Sequence, residues 1–167
     1  YGLGLTGSSL SRNLSSIRMF HKFLAGERLT SNNPSREVFF PAVFKTIPTV
    51  LTIQEIETVL ESMPEEGALP VRNRSIIETL YGTGMRVSEL TTLRINDILW
   101  NENTIRVIGK RDKQRIVPLG QYARKSLEEY IQLCRHRLAG ETTFSDSVFL
   151  NRSGAGLSRV AVWTIVK

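Results

Sequence analysis

Residues 81–90 are YGTGMRVSEL. Two glycines interrupt a helical pattern after Leu80, and an arginine then stands at the opening of the next helical stretch, ahead of Val87 and Leu90. A helix N-terminus carries about half a unit of positive charge, so a cation at Arg86 is mildly unfavourable. Two partners could offset that cost. A salt bridge to Glu89, three residues on, contributes only about 0.2–0.5 kcal/mol at helical spacing. A bound phosphate is the other partner, because a guanidinium presents a planar fork to two oxygens and the helix-start amides point the same way. The residues alone leave both open.

Outward from this stretch, the flanking pattern is helical. VRNRSIIETLYGTG (71–84) predicts a helix with Val71, Ile76, Ile77 and Leu80 inward, stopping at the Gly82/Gly84 turn. Before it, LTIQEIETVLESM (51–63) opens with a capping box, Thr52 with Glu55, and is closed by Pro64. After it, MRVSELTTLRINDI (85–98) predicts one helix with Leu90, Leu93 and Ile98 among its core positions. The period then changes to two. Thr104–Ile108 and Gln114–Leu119 are β-branched runs joined by Gly109-Lys110-Arg111-Asp112-Lys113, which predicts a hairpin, and Pro118 places its second strand at an edge. Ala123, Leu127, Tyr130, Ile131, Cys134 and Leu138 form one face of a long amphipathic helix. Ser147–Leu150 is expected as a short strand, and LSRVAVWTIVK (157–167) as the start of one more helix.

The N-terminal stretch differs in character. Ser8-Ser9 is placed to cap a helix running to about Ala25, with Leu10, Leu14, Ile17, His21 and Leu24 inward and Phe20 and Phe23 beside them. His21 fits a packed core histidine. Ser11, Ser15, Arg18 and Lys22 share another face, with Arg12 adjacent. Small hydroxyl residues punctuated by cations fit either a solvated face or one brought close to a phosphate backbone. Leu29–Val50, with Asn33-Pro34, Pro41 and Pro48, is expected to be an inter-domain linker. The class that follows is α+β, mainly helical, with a small antiparallel hairpin or sheet.

Bulk composition sets outer limits. The 167 residues are 41% hydrophobic, as in globular proteins, so disorder is excluded as the general state. The lone Cys134 excludes an intramolecular disulfide framework and suits a reducing cytoplasm. No apolar run approaches the roughly 18 residues of a membrane span, and no signal peptide is visible. The formal charge of +6 favours a polyanionic partner. Its distribution is uneven. Residues 1–45 hold six Lys/Arg against two acids, and KRDKQR (110–115) holds four against one. The chain opens at Tyr1 and stops within an expected helix, which suggests an internal piece of a longer protein.

Taken in order and spacing, YGTGMRVSEL, TTLRINDI and IRVIGKRDKQRIVPLG resemble the opening of the catalytic domain of the tyrosine recombinase (phage integrase) family, in particular its Xer-type site-specific recombinases. SSLSRNLSSIRMFHKFLAGERLTSNNPS resembles the last part of that family's helical core-binding domain. The resemblance implies that residues 1–45 are the C-terminal part of a SAM-like core-binding domain with its linker, and residues 46–167 the N-terminal part of a catalytic domain. Arg86 then matches the family's first active-site arginine, which holds the scissile phosphate. Lys110 matches the hairpin lysine that enters the minor groove and protonates the leaving 5′-hydroxyl, and Glu89 an acidic position that orders the site. Arg12, Arg18, Lys22, Arg111, Lys113 and Arg115 are expected at phosphate-backbone contacts, which give affinity and salt dependence rather than sequence recognition.

The chemistry implied is metal-independent cleavage and rejoining of DNA through a 3′-phosphotyrosyl link, with no nucleotide or other cofactor. The implied partners are a duplex recombination site and a homo- or hetero-tetramer of recombinases on synapsed DNA. No membrane and no small-molecule ligand are implied, and the compartment is the bacterial cytoplasm, at the nucleoid. Cationic side chains must then neutralise charge building on the phosphorane, and a lysine acid needs surroundings that lower its pKa, to which Arg86, Arg111 and Lys113 could contribute. The family's later His-x-x-Arg motif does not occur among residues 1–167: neither His21 nor His136 is followed by arginine at the third position. None of Tyr1, Tyr81, Tyr122 and Tyr130 stands in the nucleophile's motif. The 167 residues are therefore expected to bind DNA weakly without cutting it. The alternative is a non-catalytic DNA-binding module derived from an integrase.

Overall fold

The computed structural model describes residues 4–41, 50–109, 112–139 and 145–167. The chain divides into two units, Tyr1–Val50 and Leu51–Lys167.

The first unit is built on α1, Gly7–Gly26, followed by a single 3₁₀ turn at Pro34–Arg36. Thr6, rather than Ser8 or Ser9, caps α1: its hydroxyl accepts from the Ser9 amide at 3.3 Å. The expected inner stripe is only partly covered. Leu14 is buried, but Leu10, Ile17, Phe20 and Phe23 remain exposed. Val38, Phe39 and Pro41 line a shallow groove with Leu10, Leu14 and Ile17, and no second long helix of this unit is available among the described residues to cover the rest.

The second unit holds the core. α2, Ile53–Glu61, starts at the expected capping box: Thr52 Oγ1 accepts from the Glu55 amide at 3.2 Å, and Glu55 accepts from the Thr52 amide at 2.7 Å. α3, Ala68–Thr83, ends at Gly84, whose left-handed backbone (φ 60°) would strain a side chain. α4, Val87–Thr92, is a short helix. Strands β1 (Ile98–Leu99), β2 (Thr104–Ile108) and β3 (Gln114–Pro118) form an antiparallel sheet in that order. β3 is an edge strand within it, which accommodates Pro118. α5, Gln121–Glu129, passes through a wide π turn at Tyr130–Cys134 into α6, Arg135–Ala139, and α7 is Arg159–Val166.

The core lies between the inner sheet face and the helices. Ile76 of α3, Leu90 of α4, Ile105 and Val107 of β2, Leu127 of α5 and Val162 of α7 are all buried in it. Tyr130 stacks on Phe149 at 5.5 Å between ring centres, and its hydroxyl accepts from the Leu150 amide at 3.2 Å. The apolar stripes of α3, α5 and α7 thus meet in this core, whereas on α2 only Leu60 is buried.

Two expectations fail here, for one reason. MRVSELTTLRINDI is not one helix: α4 ends at Thr92, Leu93 turns extended, a 3₁₀ turn follows at Ile95–Asp97, and Ile98 already belongs to β1. The Leu93 carbonyl accepts from the Val148 amide and the Ile95 amide donates to Asp146 O, each at 2.9 Å. A distant segment therefore takes the backbone groups that would have continued the helix. Ser147–Leu150 is likewise not a strand but carries isolated bridges, Arg94 to Ser147 and Leu150 to Gly156. Arginines satisfy its carbonyls instead: Arg135 donates to those of Ser145, Ser147 and Val148, and buried Arg72 to that of Leu150 at 2.8 Å.

Candidate active site

Arg86 is the N-cap of α4, with an extended backbone (φ −75°, ψ 151°) that turns its side chain away from the core. Buried Met85 and Leu90 pin the turn on either side, while the Arg86 side chain is 72% exposed. Three residues on, the Glu89 side chain is only 4% exposed. Its Oε2 accepts from the Arg86 amide at 2.7 Å, which supplies the carboxylate half of a capping box; an arginine side chain has no acceptor for the other half. Its Oε1 accepts from Arg86 Nη1 at 3.0 Å. The short-range ion pair is therefore present, and Glu89 offsets the unfavourable placement of Arg86.

The hairpin brings a second cation to the same carboxylate. Register pairs Ile105 with Val117 and Val107 with Arg115. Period two thus puts Arg115 on the buried face, one step beyond Val117, where the sheet meets α4. Its Nη1 donates to Glu89 Oε1 at 2.7 Å and its Nη2 to Oε2 at 2.9 Å, a fork-on-carboxylate pair. These bonds, led by Arg115 and joined by those from Arg86, hold the Glu89 carboxyl down at about 2 against the opposing effect of burial. The same pairing raises the Arg115 guanidinium.

The hairpin loop is rooted at this point. The Gly109 amide donates to Lys113 O at 2.8 Å, and a Cβ at Gly109 would lie 3.6 Å from Glu89 Oε1. Asp112 takes the left-handed conformation that a short polar side chain tolerates. Lys110 and Arg111 lie outside the described residues, but both flanks of their loop, Gly109 and Asp112-Lys113, are described, and Gly109 adjoins Glu89. Lys113, like Arg12 and Lys22 in the first unit, is exposed.

Arg18 is engaged within its own unit. Its guanidinium donates to Ser35 O at 3.0 Å and Val38 O at 2.6 Å and lies over the Phe40 ring. Arg18 and Arg115, both set aside for phosphate from sequence, thus have protein partners. Arg115 was legible by the alternation that buries Val117. Arg18 gave no such signal, since its partners are backbone carbonyls. The structure adds a third pair that sequence reasoning missed: Arg106, on the outer sheet face, donates through Nε and Nη2 to Asp97 Oδ1 at 3.0 and 2.8 Å. Among the described residues no group of three or more His, Cys, Asp or Glu is placed to hold a metal ion, and no helix is long and apolar enough to cross a membrane.

Comparison with known proteins agrees with this geometry. Residues 49–167 match the phage integrase family. Tyrosine recombinase XerD of Chlorobaculum tepidum is 39% identical over 168 residues, covering 99% of this chain and 55% of that protein. XerD of Oceanobacillus iheyensis is also 39% identical, over 98% of this chain and 55% of its own length. The chain thus spans about half the length of the curated relatives it matches. Among solved structures, the XerH site-specific recombinase bound to its difH substrate superposes with a TM-score of 0.68 at 26% identity, covering 95% of this chain and 46% of XerH. The Tn1549 transposon integrase in complex with circular intermediate DNA shares the fold, with a TM-score of 0.73 at 19% identity over 95% of this chain and 55% of the integrase. A glycine-stopped helix, an arginine at the next helix start and a hairpin rooted beside the Glu89 carboxylate that this arginine shares accompany this match along nearly the whole chain, which belongs to the phage integrase family of tyrosine recombinases.

Proposed function

We propose that this chain is the arginine-and-hairpin part of a site-specific DNA recombinase that cuts and rejoins duplex DNA through a phosphotyrosyl intermediate. The observation that supports this best is the Arg86–Glu89–Arg115 cluster, where two guanidiniums share one buried carboxylate and Arg86 remains mostly exposed. One positive charge is left in excess, on a side chain able to meet two phosphate oxygens.

In this reading a tyrosine outside residues 1–167, having given its phenolic proton to solvent water, attacks the scissile phosphorus. The bond from phosphorus to the tyrosine oxygen forms as the bond to the 5′ oxygen breaks, and Lys110 delivers the proton that the 5′ oxygen takes up. Arg86 neutralises charge on the non-bridging oxygens, the electrostatic task that a preorganised cation performs in such sites. Glu89 orders Arg86 rather than touching DNA. No nucleotide is consumed, because the phosphodiester energy is kept in the covalent link. Exposed Arg12, Lys22 and Lys113 are assigned to phosphate-backbone contacts, together with Arg111, which give salt-dependent affinity. The duplex recombination site, the tetramer on synapsed DNA and the bacterial cytoplasm as compartment belong to the same reading.

Arg86→Ala in the whole protein tests it. Covalent protein–DNA adducts on a nicked suicide duplex should disappear while duplex affinity stays within a few-fold. Undiminished adducts would remove Arg86 from the role. Lys110→Ala should lose adduct formation on ordinary DNA and regain it when the leaving oxygen is replaced by sulfur, which needs no acid. Failure to regain it would deny Lys110 the proton.

A further inference from the structure

We propose that Arg115 is the positioning residue that keeps Arg86 available to an anion, by occupying the carboxylate that would otherwise capture it. The proposal rests on the reading of Arg86 as the phosphate clamp and adds a specific task for a residue that touches no DNA in it.

Glu89 is fixed next to Arg86 by the helix start itself, because its Oε2 takes the Arg86 amide proton. A buried carboxylate so close to a guanidinium would ordinarily accept both prongs of its fork and form a neutral pair. Here the fork that arrives is Arg115's. It covers both oxygens, at 2.7 and 2.9 Å, and leaves Arg86 a single side-chain contact at 3.0 Å, through one Nη. The remaining Arg86 nitrogens have no protein acceptor among the described residues. Arg115 is on β3 and Arg86 on the turn before α4, so the competition is built by the sheet register and not by local sequence.

A plain anchoring role makes a different prediction. If Arg115 mattered only by tying the hairpin root to Glu89, removing either partner would do equal harm. If Arg115 holds the carboxylate away from Arg86, removing the carboxylate's charge should remove the need for Arg115. Glu89→Gln separates the two, since the amide oxygen still accepts the Arg86 N–H while the charge is gone.

The experiment measures single-turnover adduct formation by the whole protein on a nicked suicide duplex, with duplex affinity and thermal melting recorded for each variant. Arg115→Gln should slow adduct formation by about 10- to 100-fold, below the roughly 100- to 1000-fold reached when an electrostatic donor is lost outright, because Arg86 itself is still present. Arg115→Lys, which retains the charge without the fork, should fall between. Glu89→Gln should be faster than Arg115→Gln, and the double variant should react at the rate of Glu89→Gln alone. The proposal is overturned if Glu89→Gln is as slow as Arg115→Gln, if the double variant is no faster than Arg115→Gln, or if Arg115→Gln matches the unsubstituted protein. Should Arg115→Gln melt below the assay temperature, Arg115→Lys with and without Glu89→Gln gives the same comparison. Arg86→Ala is run alongside: if it reacts normally the phosphate-clamp reading falls, whereas its loss with no recovery in the double variant overturns the Arg115 proposal alone.

Discussion

The second unit uses one local device twice, and the two copies differ in charge. In each, an arginine caps a short helical turn, an acid three residues on accepts that arginine's backbone N–H, and an arginine from a neighbouring strand pairs with the acid. The first copy is Arg86, Glu89 and Arg115; the second is Arg94, Asp97 and Arg106. In the second, the Arg94 guanidinium turns away and pairs with Asp146 at 2.7 Å, so among the described residues Arg106 brings the one guanidinium to Asp97 and these four charges are matched. In the first, both arginines meet Glu89, and a cation is left over. Identical backbone logic thus gives a neutral brace at one place and a candidate anion clamp at the other. What differs is where the N-cap arginine's own side chain finds a carboxylate.

The largest separation should come from deleting each acid. Glu89→Ala leaves two guanidiniums facing each other and an unfilled amide at the start of α4, and we expect a loss of about 3 kcal/mol, at the low end for a broken buried pair because Arg86 and Arg115 can rehydrate. Asp97→Ala likewise leaves an unfilled amide, at Arg94, but strands one guanidinium instead of two, and about 2 kcal/mol is expected, since Arg106 is already partly in water. Urea denaturation of the 167-residue chain measures both. The comparison sharpens if adduct formation by the whole protein falls for Glu89→Ala and stays constant for Asp97→Ala. Equal effects on adduct formation would mean that the two copies do not differ in kind.

Local chemistry was readable ahead of the fold and distant chemistry was not. The Thr52/Glu55 capping box, the stop at Gly84, the Gly109–Lys113 hairpin and the stripe from Ala123 to Leu138 each depend on neighbours a few residues apart, and each is found where the pattern put it. The break after α4 was hidden because the groups that end it, Val148 N and Asp146 O, come from far along the chain. Arg72 and Arg135 are likewise held by a distant segment, donating to the carbonyls of Leu150 and of Ser147, and nothing near them in sequence marks them as structural cations. Within the site, Arg86 and Glu89 stood out by motif, while the inward turn of Arg115 was legible only through its alternation with Val117. The exposed Leu10, Ile17, Phe20 and Phe23 show the converse, since a clear apolar stripe predicts a helix without supplying what covers it.

Acid should expose the first copy selectively. The Glu89 carboxyl is held at about 2, below its ordinary 4.5, mainly by the hydrogen bonds from Arg115. A depressed carboxylate contributes stability above its unfolded value, and that stability is lost as pH falls, because the unfolded chain binds the proton first. The window therefore runs downward from about 4.5 toward about 2. Screening at the exposed guanidiniums keeps the contribution on the order of 2 kcal/mol. Stability measured by urea at stepped pH should fall through this window, and Glu89→Gln should flatten that part of the curve. A Glu89→Gln curve parallel to the unsubstituted one would assign the acid limb to other carboxylates and weaken the claimed difference between the copies.

The smallest effect belongs to the contact that makes the copies differ. Arg94 and Asp146 are about two-thirds exposed, at 65% and 61%, and an ion pair so well hydrated contributes about 0–1 kcal/mol. Asp146→Asn should therefore barely move the urea midpoint. Its informative consequence is electrostatic: once Asp146 loses its charge, the Arg94 guanidinium is free either to swing toward Asp97, reproducing the first copy with two cations on one acid, or to remain in water. Duplex affinity measured against salt concentration distinguishes these outcomes from a silent change. A steeper salt dependence for Asp146→Asn would mean that a freed N-cap arginine is enough to recruit phosphate. An unchanged slope would mean that the first copy owes its character to more than a spare charge, and that Arg86 must also be held where Glu89 and the hairpin root put it.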